Sequence, residues 1–362
     1  MSFFAGSSCL WKKRSVFLLT IVGVLLLGCH SQNMTRKASL QITRVPPGDP
    51  GGPVQLDYIE GRASGTEAGQ QIVLYARSGV WWIQPFTIQP FTRIQADSTW
   101  KNSTHLGTEY AALLVEPGYH PASKLATLPK EGNGVVAVVT AKGQGAKPIV
   151  PKVLHFSGYD WTARAAGSDR GGEPSAYDPA NAWTDQKGYL HLRMAVNGGQ
   201  WTSAEVNLTH SLGYGTYRFI VQDSAHLMPS AVVGMFTWDE FGSDETRREL
   251  DIELSRWANP GGKNAQFVVQ PFYVPQNVFR FTAPPGVLSY TLRWEPGSAS
   301  FKAVRGAVAA PGSKTVSEHV FTSGVPTPAA ETVHLDLYDF RHSRNTLQTP
   351  AEVVIEKFEY LP

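Results

Sequence analysis

Cysteine is nearly absent from this chain of 362 residues, and its two cysteines, Cys9 and Cys29, both stand near the N-terminus. The part of the chain after Cys29 therefore has no disulfide of its own, no thiolate metal site and no cysteine nucleophile. The sequence indicates no catalytic metal and no cofactor. It leaves open whether a structural Ca²⁺ binds.

An excess of charge of one sign is also lacking. The formal net charge is +2, and the short run Lys12-Lys13-Arg14 is the longest stretch of like charges. Nucleic-acid-binding proteins usually present a clustered basic surface, so the sequence argues against a nucleic-acid partner.

No apolar run reaches the length of about 20 residues that a membrane-spanning helix needs. The run Val16–Leu27 has 12 residues, follows a basic flank and ends in Leu26-Leu27-Gly28-Cys29, which predicts a signal peptide over residues 1–28. Its end resembles the lipobox of bacterial lipoproteins. The resemblance implies cleavage before Cys29 and a diacylglycerol on its sulfur, which would hold the protein on a lipid bilayer. The alternative is an uncleaved anchor in which Cys29 occurs by chance.

The expected location is the cell envelope, with a lipid anchor. His30 follows the cysteine, where Gram-negative sorting would place an Asp to retain a lipoprotein in the inner membrane. By that resemblance the outer membrane is expected if the host has one. Residues 29–53 are polar and rich in proline and glycine, which predicts a flexible tether.

Long periodic helical stretches are few, while 34 glycines and 25 prolines punctuate short β-type runs. This pattern favours an all-β protein. Residues 54–142 have turns about every ten residues, which predicts a small β-sandwich accessory domain. Residues 141–150 are rich in glycine, proline and lysine, which predicts a linker.

Three tryptophans of residues 54–142, Trp81, Trp82 and Trp100, either form a sugar-stacking platform or pack in the core. Alternation along a strand buries at least one of Trp81 and Trp82.

Residues 152–362 contain successive strand candidates without helical repeats between them, which predicts a two-sheet jelly-roll sandwich. The most informative segment is Arg248-Glu-Leu-Asp-Ile-Glu-Leu254. On a strand its three apolar residues point into the core, and Glu249, Asp251 and Glu253 share the opposite face. Like charges on one face destabilise a sheet. Their presence therefore indicates chemistry, and glycoside hydrolysis needs two carboxylates in different protonation states.

A third acid between two others can raise the pKa of a neighbour through like-charge coupling. The Cα atoms of Glu249 and Glu253 would be about 13 Å apart on a straight strand, at roughly 3.3 Å per residue. A retaining glycosidase needs its two carboxyl groups about 5–5.5 Å apart. The motif therefore predicts a strongly curved sheet.

The run Glu-Leu-Asp-Ile-Glu resembles the E-x-D-x-E motif of glycoside hydrolase family 16, the concanavalin A-like glucanases. Further stretches that resemble this family occur in the family's order over about 155–361: Gly188–Leu192, Ser203–Val206, Tyr214–Phe219, Val233–Trp238, Tyr290–Pro296 and Ser300-Phe301. The resemblance implies that Glu249 is the nucleophile, Asp251 a helper and Glu253 the general acid/base. It also implies a retaining, endo-acting hydrolase or transglycosylase of a β-linked polysaccharide.

Trp238 and Trp257 are candidates for substrate binding by stacking on sugar rings, with core packing as the alternative. Trp257 shares its strand parity with Glu253. The chain departs from the family pattern in having Arg218 after Tyr217, Leu288 in place of a histidine, and Leu337-Tyr338 in place of a Leu-Trp pair. It also departs in the unusually charged segment before Glu249, which contains Asp239, Glu240, Asp244, Glu245, Arg247 and Arg248. These departures leave the three acids intact and put the substrate in question.

Two other functions compete with the enzyme. The first is a carbohydrate-binding lipoprotein on the same fold that does not cleave, which the departures favour. The second is a structural surface protein without glycan affinity. The intact acid motif favours the enzyme, because a binding protein has no need of three acids that repel one another. Fold alone does not distinguish the three functions.

Overall fold

The computed structural model describes residues 38–49, 51, 55–146, 152–167, 175–197, 199–242, 246–307, 313–340 and 349–362. The predicted signal peptide and Cys29 lie outside these residues. Residues from Ala38 onward form one compact unit. In the described part of the chain, no helix is long and apolar enough to cross a membrane.

Residues 38–146 form two small sheets, which we call the N-terminal sandwich. The strands of the first sheet are β1 (Ser39–Arg44), β2 (Leu56–Ser64) and β6 (Thr99–His105), in the order β1-β2-β6. The second sheet has the order β8-β4-β3-β7-β9, with β5 paired to β3. Its strands are β3 (Gln71–Ser78), β4 (Val80–Gln84), β5 (Phe91–Thr92), β7 (Glu109–Val115), β8 (Lys124–Leu125) and β9 (Val135–Lys142).

Strand β1 lies inside the range 29–53 that was predicted to be a tether. The alternation of Leu40 and Ile42 with polar neighbours explains the difference, because it gives the segment one apolar face. Leu40 is buried in the N-terminal sandwich and Ile42 packs against that core. Residues 39–44 are therefore part of the sandwich.

The tryptophans of the N-terminal sandwich have separate environments. Trp100 is buried between the two small sheets, and Trp81 is buried on the outer face of the second sheet. Only Trp82 of the three is partly exposed. The platform of three tryptophans is therefore wrong, and core packing is correct for Trp81 and Trp100. The turn between β3 and β4 is Gly79, with φ of +71°, a conformation in which glycine is favoured.

Residues 152–362 form the large sandwich. Its strands are β10 (Lys152–Phe156), β11 (Tyr159–Ala163), β12 (Ala176–Tyr177), β13 (Ala182–Thr184), β14 (Leu190–Asn197), β15 (Gln200–Leu208), β16 (Gly215–Val221), β17 (Ala231–Trp238), β18 (Leu250–Leu254), β19 (Ala265–Val269), β20 (Val278–Phe281), β21 (Leu288–Glu295), β22 (Ser298–Arg305), β23 (Thr315–Phe321), β24 (Thr332–Asp339) and β25 (Ala351–Leu361). Two short 3-10 helices, Pro179–Asn181 and Pro275–Asn277, interrupt the strands.

Hydrogen bonds join these strands into one network of 16 strands that folds over into two facing sheets. The cleft sheet has the order β20-β19-β18-β17-β24-β15-β11-β10, and the second sheet has the order β13-β14-β25-β16-β21-β22-β23. The hairpin between β14 and β15 connects them. Among the described strands, all pairings are antiparallel except that of β12 with β15. This arrangement confirms the predicted all-β fold with a two-sheet jelly-roll sandwich.

The core lies between the two facing sheets. Phe267 of the cleft sheet stacks on Phe301 of the second sheet at 5.1 Å, and Trp161 meets Phe358 edge-on at 5.3 Å. Trp294 is fully buried in the same core. Two aromatic residues of the stretches that resemble the glucanases, Trp294 and Phe301, therefore contribute to the core between the two sheets.

Gly61 offers a test of the N-terminal sandwich. A Cβ at this position would lie 2.1 Å from the Trp100 ring and 2.1 Å from the Gln41 carbonyl oxygen. We expect Gly61→Ala to lower the free energy of unfolding by about 1–3 kcal/mol, because the buried indole cannot move aside without strain. Chemical denaturation measures this change. Gly261→Ala is the control, since its Cβ would meet no atom closer than 3.9 Å, and equal stability of the two variants would contradict the packing.

Candidate active site

Strand β18 separates the acids from the core, as its alternation predicts. Leu250, Ile252 and Leu254 are buried in the core of the large sandwich. Asp251 and Glu253 point the other way, onto the face of the cleft sheet that we call the cleft face. β18 lies between β17 and β19, so both of its edges are paired. The burial of the apolar face of β18 thereby fixes the position of the acids on its opposite face.

The turn before β18 positions Glu249. Arg247 and Arg248 both adopt left-handed conformations, with φ of 53° and 55°. Such a conformation costs a residue other than glycine about 1–3 kcal/mol, and it persists where the surroundings impose it. Here Arg248 forms an ion pair of 2.8 Å with buried Asp239, and the Thr237 hydroxyl donates to the Arg248 carbonyl oxygen at 2.7 Å. These contacts bind the turn to the end of β17.

Asp251 is the most enclosed of the three acids, with 3% of its surface exposed. It is hydrogen-bonded to Glu249, and it accepts a hydrogen bond of 3.0 Å from the Gln270 side chain. Burial raises the pKa of Asp251 well above its ordinary value of 3.8, and the charges of Glu249 and Glu253 raise it further. A raised pKa makes Asp251 suited to retain a proton beside Glu249.

Glu253 has a different environment. Burial raises the pKa of Glu253, and a hydrogen bond from Gln266 together with the charge of Arg280 partly offsets that effect. Arg280 donates to the Gln266 side-chain oxygen at 2.8 Å. A raised pKa in a carboxyl group that is held in place by an amide favours a group that retains a proton which it can donate.

The cleft face also carries polar residues that the sequence analysis did not assign to the site. Glu205 and His334 are buried on β15 and β24, and His334 Nδ1 lies 2.7 Å from the Glu205 carboxylate. Arg164 donates to the other carboxylate oxygen of Glu205 at 2.8 Å. The His334 ring stacks on Phe236, which is the cross-strand partner of Asp251. This chain of contacts connects the acids to the far side of the cleft sheet.

A signal for these residues was present in the sequence. In Thr332–Asp339, apolar residues alternate with polar ones in the way that β18 does, which places His334 and Asp336 on the cleft face. Asp336 accepts a hydrogen bond of 2.9 Å from the Gly234 backbone. A Cβ at Gly234 would lie 2.5 Å from that carboxylate, so glycine makes room for it.

The two tryptophans predicted to bind substrate lie at different places. Trp238 ends β17 and donates to the Glu240 carboxylate at 2.9 Å. Trp257 follows β18 in a left-handed turn with φ of 46°, and the Arg280 guanidinium lies 4.5 Å from its ring centroid. Both rings are partly exposed. Their role in binding remains a prediction, and Arg280 connects Trp257 with the Glu253 environment.

Two exposed aromatic residues beside the acids were missed. Phe272 and Tyr273 are each 66% exposed and meet edge-on at 6.1 Å. The backbone N–H of Phe272 donates to the Gln270 side-chain oxygen at 2.7 Å, and Gln270 itself binds Asp251. Large exposed aromatic residues beside polar groups are typical of sugar-binding surfaces. Both residues lie in the loop after β19, where no alternation marks them in the sequence.

The departures from the glucanase pattern lie mostly outside the cleft. Arg218 forms an ion pair of 2.9 Å with Glu359 across β16 and β25 of the second sheet. Leu288 is buried in the core. Tyr338 replaces a tryptophan on β24, where the alternation places it on the cleft face. Of Arg218, Leu288 and Tyr338, only Tyr338 lies on the cleft face.

Among the described residues, no group of three His, Cys, Asp or Glu side chains has an arrangement that could hold a metal ion. The carboxylates of the cleft face are instead bonded to one another, to amides, to the backbone and to Arg164.

No protein-family model matches this chain, and no curated protein matches it. Solved structures resemble it at low identity. A β-1,3-glucanase from Mycobacterium marinum is 16% identical with a TM-score of 0.41, over 56% of this chain and 90% of its own. A Bacillus licheniformis β-glucanase is 15% identical with a TM-score of 0.43, and the match covers 60% of this chain and 100% of the glucanase chain. A Mycobacterium tuberculosis protein described as a pseudo β-1,3-glucanase is 15% identical with a TM-score of 0.38, and the match covers 50% of this chain and 78% of that protein's chain. Likeness at this level says nothing about activity.

The raised pKa of Asp251 predicts how stability depends on pH. Above about pH 4 the folded protein retains a proton on this group that the unfolded chain releases, so the free energy of unfolding falls as pH rises. Asp251→Asn mimics the protonated carboxyl group. We expect its melting temperature to exceed that of the wild type by more at pH 8 than at pH 4, measured by thermal unfolding.

The control for this experiment is Asp223→Asn, which removes an exposed carboxyl group on a loop. This variant should keep the pH dependence of the wild type. Parallel curves for Asp251→Asn and the wild type would show that Asp251 is ionised in the folded protein over the whole range.

Proposed function

We propose that this protein is a retaining glycoside hydrolase or transglycosylase that acts on a β-linked polysaccharide. The observation that supports it best is that the two outer acids of the motif have different neighbours. Glu249 lies beside the enclosed Asp251, whereas Glu253 is held separately by Gln266. A double displacement needs two carboxyl groups in different environments beside one bond, one as the nucleophile and one as the proton donor.

In the proposed mechanism, Glu249 attacks the anomeric carbon while Glu253 donates a proton to the departing glycosidic oxygen. The product of this step is a glycosyl ester on Glu249. Glu253, now ionised, removes a proton from water, or from a sugar hydroxyl in transglycosylation, and the resulting oxygen displaces Glu249. Asp251 orients Glu249 through their hydrogen bond and modulates its charge.

A polymeric substrate fits the extent of the cleft face. Five of six neighbouring strands carry polar side chains on this face, from Arg280 on β20 through Glu253 to Glu205 on β15, and the sixth, β17, carries Phe236 and Trp238 there. At about 4.8 Å between strands, this face extends for roughly 24 Å. That length suits several consecutive sugar units and so supports endo-acting cleavage within a chain.

The second candidate is a carbohydrate-binding protein that does not cleave. Tyr338 on the cleft face favours it, because a replaced aromatic residue there changes the surface that a sugar would meet. A protein that only binds carbohydrate has no need of the enclosed pair of Asp251 and Glu249. A buried acid beside another acid costs stability, and a binding protein gains nothing from it.

The two candidates separate in one experiment. Purified protein is offered β-1,3-glucan, mixed-linkage β-1,3-1,4-glucan, β-1,4-glucan and agarose, and both binding and release of reducing ends or transfer products are measured. An enzyme releases such products from at least one polymer. Binding without any product would favour the second candidate, and absence of both would remove the glycan function for these polymers.

Rescue by azide tests the roles of the two outer acids. Glu249→Ala should lose turnover, and azide should restore it with inverted product, because azide enters from the face that the carboxylate vacates. Glu253→Ala should be rescued with retained stereochemistry, best on substrates whose leaving groups need no proton. The anomeric configuration of the glycosyl azide, determined by NMR, is the measurement.

Asp251→Asn is the comparison variant in that series. It should lower activity and shift the pH optimum without abolishing turnover, since its proposed task is to adjust the charge of its neighbours. Wild-type hydrolysis in all three variants would mean that the site lies elsewhere.

We further propose that the mature protein begins at a lipidated Cys29 and resides in the cell envelope, in the outer membrane if the host is Gram-negative. Cys29→Ser should abolish lipidation, so the protein should leave the membrane fraction after an alkaline wash. Fractionation followed by immunoblotting measures this. Continued membrane association of the variant would contradict the lipid anchor.

A further inference from the structure

A cavity of about 640 Å³ lies between the N-terminal sandwich and the cleft face. The turn from Arg77 to Val80 and the Trp82 ring form its wall on the side of the N-terminal sandwich. Glu205, Trp238 and His334 form the wall on the side of the large sandwich. The volume falls within the range of about 300–1,000 Å³ that is usual for small-ligand sites. The cavity is therefore large enough to receive part of a sugar chain.

A row of four side chains connects the two walls. Lys124 lies beside Trp82 on neighbouring strands, with its Nζ atom 5.1 Å from the ring centroid. The same Nζ atom donates to Glu240 Oε1 at 2.6 Å, and Glu240 Oε2 accepts the Trp238 indole N–H. The Lys124 side chain is only 9% exposed. This row holds the two tryptophans at fixed positions on opposite sides of the cavity.

The cavity adjoins the acids. Phe236 pairs with Asp251 across β17 and β18, and Trp238 lies two residues further along β17 on the same face. Trp238 in turn pairs with Thr332, which also lines the cavity. A sugar chain that passes the acids and continues over β17 and β24 would therefore enter this space.

Most charged side chains around the cavity are paired with an opposite charge, and Lys142, which lines the cavity as the cross-strand neighbour of Glu109, adds a further positive charge. Arg77 lies 3.4 Å from Glu109, and Arg164 lies 2.8 Å from Glu205. Lys124 pairs with Glu240 across the cavity. Paired charges offer hydrogen-bond donors and acceptors to hydroxyl groups, and their fields largely cancel at a distance. Together with two aromatic rings, this composition suits a neutral sugar better than a polyanion.

We propose that this cavity is a sugar-binding subsite for the neutral polysaccharide cleaved at Glu249 and Glu253, and that Trp82 of the N-terminal sandwich provides a stacking surface in it. This inference rests on the proposed function. It assigns the N-terminal sandwich a direct part in substrate selection.

The test uses the full chain and four probes, the hexasaccharides of β-1,3-glucan, mixed-linkage β-1,3-1,4-glucan, β-1,4-glucan and agarose, with their disaccharides for comparison. Dissociation constants are measured by calorimetry on a Glu253→Gln background, so that no probe is consumed. Longer chains should bind more tightly when they reach the cavity. We expect Trp82→Ala to reduce the gain in affinity from disaccharide to hexasaccharide by at least about fivefold, and Trp82→Phe to restore most of it.

Trp183→Ala is the matched control. Trp183 is also a partly buried tryptophan, but it stacks on His191 in the second sheet, away from the cavity. It should leave the gain in affinity unchanged. Thermal unfolding of each variant separates loss of binding from loss of fold. If Trp82→Ala is unstable, the gain in affinity is compared between Trp82→Phe and the wild type.

The outcomes distinguish this inference from the proposed function. An unchanged gain in affinity in Trp82→Ala would overturn the subsite, even if the wild type cleaves the polymer. A reduced gain in a protein that cleaves none of the polymers would support the sugar site and contradict the enzyme. Competition by hexagalacturonate as strong as that by the neutral hexasaccharide would overturn the assignment to neutral sugars.

Discussion

The hydrogen bond between Asp251 and Glu249, in a position almost closed to water, is the constraint on which the site depends. Burial of Asp251 and the charge of neighbouring Glu249 both raise the pKa of Asp251, which favours a protonated carboxyl group at this position. The Gln270 amide donates a hydrogen bond to Asp251 Oδ2. Replacing that amide by a cation would favour ionised Asp251 and remove the reason for a retained proton.

This constraint can persist only because the opposite side of β18 is anchored. Acidic residues crowded on one face of a strand weaken its pairing with neighbouring strands, and a polar opposite face would offer no compensating burial. Leu250, Ile252 and Leu254 instead lie at the centre of the large core. β17 and β19 have the same alternation, so their core-facing residues support those of β18 on both sides. The energy that holds the acids together thus comes from the burial of apolar side chains beneath them.

Features that depend on local alternation could be predicted from the sequence. The fold class and the shared face of the acids depend on the two-residue period of strands, which is visible in Arg248–Leu254. His334 and Asp336 obey the same rule and could have been found. Other features could not, because they depend on residues distant in sequence. The contact of Glu205 with His334 joins positions separated by 129 residues, and that of Lys124 with Glu240 joins positions separated by 116.

The ion pair between Lys124 and Glu240 also bears on how the two sandwiches act together. A lysine whose side chain is 9% exposed needs a carboxylate partner, because an unpaired buried ammonium group costs several kcal/mol. Its partner belongs to the large sandwich and also orients Trp238. The N-terminal sandwich therefore influences the position of a cleft residue through a charge that it cannot satisfy alone. Under the proposed function, the choice of sugar units would therefore depend on the complete protein and not on the large sandwich alone.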